Sequence, residues 1–165
     1  KGYNTVTIHN TAARGKVHDA IKAEVYDKGQ GSSPSADTLG QLAHTRGMVI
    51  AMLQTEAIRT AQEKYGKGKP VTSEQVRWGL ENLDLTEARL DALGFKDIVR
   101  PVKTSCANHM GTDWSRIAQW DGSKFKVVSD WYQADPAVVG PLVKEFADRY
   151  ATEKKVTRRD CSKVQ

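Results

Sequence analysis

No apolar run in this chain approaches the ~20 residues that a helix needs to cross a bilayer, and there is no repeat or low-complexity tract. Cysteine is scarce: the two residues, Cys106 and Cys161, have no CxxC and no histidine at ligand spacing beside them, which argues against a zinc site. The four histidines, His9, His18, His44 and His109, form no HExxH and no close pair, so each reads as a surface or incidental core residue. P-loop, GxGxxG and GxSxG motifs are missing. Gly66-Lys67-Gly68-Lys69 follows a predicted helix rather than a strand, the wrong geometry for cradling phosphate. Asp113 and Asp130 could suggest a carboxylate pair, but acids flanking a hairpin are usually exposed and no nucleophile stands beside them. Catalysis within this chain is poorly supported, and neither a metal nor a cofactor is expected.

Charge of one sign is not concentrated either. The net charge is +5, and Lys and Arg interleave with Asp and Glu, as in Glu56, Arg59, Glu63 and Lys64, the pattern of a solvated helix face. The densest basic stretch, Lys154-Lys155 through Arg158-Arg159 to Lys163, carries no interleaved aromatic and reads as a solvated tail rather than a nucleic-acid patch. What remains is globular: 165 residues, 39% hydrophobic, enough for one domain with a core.

The clearest local signal is Asp121-Gly122, set between runs rich in β-branched and aromatic residues from Ile117 to Trp131. It predicts a β-hairpin. A lone hairpin is marginal in water, because it can neither bury a face nor satisfy its edges. Strands to receive it are few: Tyr3–Ile8 alternates in strand fashion, and Asp97–Ser105 reads as extended, with Pro101 making it an edge strand or a bend. Between lie some 80 residues of helix and loop, whereas a self-contained α/β domain would alternate strand and helix. The hairpin and the opening strand predict a piece cut from a longer α/β protein. Trp114, Trp120 and Trp131 surround the hairpin and either pack on a sheet edge or wall a ligand cleft.

Helix signals are plentiful. Lys16–Lys28 places Val17, Ile21 and Val25 on one face before Gly29, and Gly31 to Ser35 reads as a loop. Asp37–Tyr65 predicts the longest helix, with Met48–Leu53 apolar all round and so expected to be buried on every side. Thr72-Ser-Glu-Gln75 is a capping box, Thr86 caps another short helix, and Asp135-Pro136 makes an N-cap and N1 pair. The helix after Pro136 lines up Val139, Leu142, Val143, Phe146 and Tyr150. The two cysteines are either free thiols or one bridge. A tail ending Arg158-Arg159-Asp160-Cys161 has little else to hold it, which favours the bridge and an oxidising compartment.

Taken in order, Val25-Tyr-Asp-Lys-Gly29, Arg46-Gly-Met-Val49, Glu56-Ala-Ile-Arg-Thr-Ala-Gln62, Glu74-Gln-Val-Arg-Trp-Gly-Leu-Glu81, Gln119-Trp-Asp-Gly122, Val127-Val-Ser-Asp-Trp131 and Arg159-Asp-Cys161 form a series. The series resembles the C-terminal part of solute-binding proteins of the branched-chain amino acid ABC transport class. The resemblance covers nearly the whole chain and implies a partial type I periplasmic-binding fold, in which two α/β lobes joined by three crossovers close on a small ligand. Residues 1–13 would then be the last strand of the second lobe and a crossover. Residues 14–113 would be helices and a strand of the first lobe, 114–134 a crossover and the second-lobe hairpin, and 135–165 the C-terminal helix and disulfide-pinned tail. The implied role is extracytoplasmic (periplasmic) capture of an amino acid or an aromatic or aliphatic carboxylate. The implied partners are an importer's membrane permease and a missing N-terminal half. Ligand-facing positions implied at the start of the long helix are Leu42, His44, Thr45 and Arg46; Leu42 and His44 stand where an aromatic residue is expected in an amino-acid binder. Arg46 could grip a carboxylate bidentately or form an ordinary helix-surface ion pair. The competing reading is a mixed α/β enzyme fragment with catalytic residues in the missing half.

Overall fold

Helix starts follow the capping chemistry written in the sequence. In a computed structural model, which describes residues 4–7, 15–32, 36–123 and 125–163, Thr72 accepts from the Gln75 amide while the Gln75 side chain accepts from the Thr72 amide. This reciprocal box opens α3 (Ser73–Leu80). Thr86 caps α4 (Glu87–Ala92) by accepting from Arg89 N, and Asp135 caps α5 (Pro136–Lys154) by accepting from Ala137 N. Before them come α1 (Lys16–Ile21), which widens into a π-helical turn over Lys22–Tyr26, and α2 (Leu42–Tyr65), preceded by a 3-10 turn at Ala36–Thr38. The expected start of α2 at Asp37 thus moves to Leu42. The crossover expected at His9–Ala13 and residues 33–35 of the loop after Gly31 lie outside the described residues.

Two small sheets are present among the described residues. β1 (Asn4–Thr7) pairs antiparallel with β4 (Trp114–Trp120), in register from Asn4 opposite Gln119 to Thr7 opposite Arg116. β5 (Phe125–Val127) flanks β4 as the predicted hairpin, and β6 (Tyr132–Gln133) pairs with the start of β4. The hairpin therefore has a sheet within the chain, supplied by a strand more than a hundred residues earlier. The second sheet is β2 (Asp84–Leu85) with β3 (Val102–Lys103), so only two residues of the extended Asp97–Ser105 run pair as strand.

The core gathers Val49 and Met52 of α2 with Leu85, Leu90, Phe95, Ile98, Val99 and Val102. Only one side of α2 is covered. Ile50 is 49% exposed, so Met48–Leu53 is not buried on every side as its composition suggested. The apolar row of α5 is also open: Leu142, Phe146 and Tyr150 are exposed. Helices α2 and α3 approach so closely at Gly79 that a Cβ there would meet the Ala57 carbonyl oxygen at 2.0 Å.

Packed into this core is Glu56, whose side chain is 3% exposed. Arg89 grips it side-on, Nε to Oε2 at 2.8 Å and Nη2 to Oε1 at 2.6 Å, and Arg59 Nε donates to Oε2 at 3.0 Å. Burial pushes this carboxyl's pKa up, but the hydrogen bonds and charges of Arg89 and Arg59 outweigh it and hold the pKa below the usual glutamate value. No helix among the described residues is long and apolar enough to cross a membrane.

Two outcomes are expected. Gly79→Ala must force α2 and α3 apart against backbone, lowering unfolding stability by about 2–3 kcal/mol in urea titration; an unchanged midpoint would refute the close approach. Because the folded pKa of Glu56 is depressed, its contribution is complete above the unfolded value of about 4.3 and is lost as pH falls through the lower folded value. Arg89→Met should cost about 2 kcal/mol near neutrality, less than a fully buried pair because Arg89 is partly exposed. It should also flatten the acid limb of stability against pH.

Candidate functional site

The start of α2 is built without a side-chain cap. Gln41 occupies the N-cap with no capping bond from its side chain, and the first turn carries no acidic residue. Its leading N–H groups therefore keep the partial positive charge of a helix N-terminus. Here the structure places the four sequence-derived residues, and they do not all converge. At 100° per residue, Leu42, Thr45 and Arg46 share one flank of α2, while His44 lies toward the other. Leu42 is 58% exposed although it is in line with buried Val49, because this end of α2 overhangs the core. Arg46 is exposed and makes no ion pair among the described residues.

The two middle residues differ. Thr45 is fully buried, His44 half-buried, and Thr45 Oγ1 and His44 Nδ1 are both shielded from solvent without a hydrogen-bond partner among the described residues. A buried hydroxyl or imidazole nitrogen without a partner costs about 1–3 kcal/mol. Such atoms tend to persist where something else completes them.

Sequence reasoning missed a second feature, an apolar cavity of about 430 Å³ under α2 and α3, walled by Val49, Leu53, Leu80, Leu83, Val99 and Met110 among others. Glu81 stands at its rim, with a side chain 4% exposed. Its carboxylate accepts from Arg77 Nε at 3.0 Å and from Arg159 Nη1 at 2.5 and 2.8 Å, with His109 Nε2 at 3.6 Å. Burial raises the Glu81 pKa, but Arg77 and Arg159 together hold it below the usual value. The Arg77–Glu81 pair was visible as i, i+4 spacing; the Arg159 partner was not, being 78 residues away. None of Leu42, His44, Thr45 and Arg46 lines this cavity.

The tail is held twice. Cys106 and Cys161 form a disulfide with Cα atoms 5.7 Å apart, and Arg159 clasps Glu81 two residues earlier. Arg158 pairs with Asp148 at 2.7 Å. The basic C-terminal stretch is thus anchored rather than a free solvated tail. The tryptophans meet cations: Arg100 lies 5.0 Å over Trp114 and Arg116 lies 4.2 Å over Trp131, while Trp120 packs edge-on against Phe125 at 5.2 Å. No cluster of three metal-ligating side chains occurs among the described residues.

No family profile matches the sequence, and no curated protein does. Among solved structures, 96% of this chain aligns with 38% of one described as an ABC transporter permease from the Pseudomonas fluorescens group, at 35% identity and a TM-score of 0.87. Another, described as a branched-chain amino acid ABC transporter from Thermus thermophilus with bound valine, aligns over 81% of this chain and 34% of its own, at 22% identity and a TM-score of 0.57. The chain spans well under half the length of either structure. Both neighbours are named for ABC transport rather than for an enzymatic activity, and the mixed helix and strand composition agrees with an α/β fold.

The disulfide closes a loop of 55 residues, worth about 4 kcal/mol in the chain-entropy model. Cys106→Ser/Cys161→Ser should therefore lower unfolding stability by about 3–4 kcal/mol, and thiol titration of the unfolded, unreduced protein should find no free thiol. Two titratable thiols would remove the bridge.

Proposed function

We propose that this chain is part of an extracytoplasmic, periplasmic solute-binding component of an ABC importer, which captures a small organic ligand and delivers it to a membrane permease. The reading is carried by one observation: nearly the entire chain follows a transport-system structure at a TM-score of 0.87. A valine-bound ABC transporter structure of related fold supports it from a greater distance. In this reading residues 1–13 and 114–134 belong with the second lobe and its crossovers, and 14–113 with the first.

The ligand would meet the start of α2. Its uncapped N–H groups suit an anionic group, and Thr45 Oγ1 and His44 Nδ1 are buried polar atoms awaiting a partner. Arg46, exposed and unpaired among the described residues, is free to join them; Leu42 would supply an apolar edge. The open apolar row of α5 and the cavity under α2 then become surfaces for the remaining part of a longer chain.

Thermal-shift screening of the intact protein against amino acids and aliphatic or aromatic carboxylates tests this. A true ligand at 100 times its Kd stabilises by about 2.7 kcal/mol, raising Tm by roughly 5–10 °C. Thr45→Val should remove most of that shift while raising the unliganded Tm by roughly 2–10 °C, since it replaces a buried unpaired hydroxyl with a methyl of similar size. Ligand shifts that survive Thr45→Val and His44→Ala would place the ligand elsewhere. Turnover of any of these compounds would favour the enzyme reading.

A further inference from the structure

We draw no further inference here: the strongest candidate, the apolar groove that runs from the cavity under α2 and α3 past Met110 to the start of α5, is an unpartnered face, and nothing in the structure shows what covers it.

Discussion

The helical part of this molecule depends on one buried carboxylate. Glu56 can be buried only because Arg89 reaches it from α4 while Arg59 holds it from the next turn of α2. The grip fixes more than a charge. Thr45, Val49, Met52 and Glu56 lie along one face of α2 at helical spacing, so pinning Glu56 sets the rotation of the whole helix about its axis. That rotation drives Val49 and Met52 into the core with Leu90, and it also turns the Thr45 hydroxyl inward, three turns from the ion pair. A stability device at the centre of α2 therefore determines which polar atom is hidden at its start.

Glu81 repeats the logic on a larger scale. Its two arginines come from its own helix and from the tail, and the second of these brings the chain end back beside the Cys106–Cys161 bridge. The bridge restricts the unfolded chain, whereas the ion pair acts in the folded state by holding Arg159 against α3. Together they order a segment with no apolar anchor of its own, since Val156 is exposed. The cavity beside Glu81 is edged by Leu80 and Met110, both of which are exposed.

Local chemistry was legible in the sequence, and distant chemistry was not. Thr72 with Gln75, Thr86, Asp135-Pro136 and Asp121-Gly122 act within four residues, where spacing alone decides geometry. The same holds for Arg59 with Glu56 and Glu63. The second partners of the buried acids, Arg89 and Arg159, are 33 and 78 residues away, and nothing in spacing marks them. Likewise β1 and β4 pair across most of the chain, so the hairpin looked unsupported. Composition misjudged Met48–Leu53 because an all-round apolar turn indicates capacity for burial, not the presence of a cover; Ile50 has none. At the candidate site, the resemblance pointed to the start of α2, but which of its side chains turn inward followed from the helix rotation that Glu56 fixes.

Buried polar groups in this molecule divide into those the fold satisfies and those it leaves without a partner among the described residues. Where the fold needs a buried charge, the charge is fully met: Glu56 and Glu81 each accept from two arginines. The same molecule leaves Thr45 Oγ1, His44 Nδ1, Arg100 Nε and Arg116 Nε and Nη2 without hydrogen-bond partners among the described residues. Each orphaned polar atom carries a cost of about 1–3 kcal/mol when its hydrogen bond is left unmade. A partner from outside the described residues would offset that cost, and selectivity would then follow from whether it supplies a matching donor or acceptor.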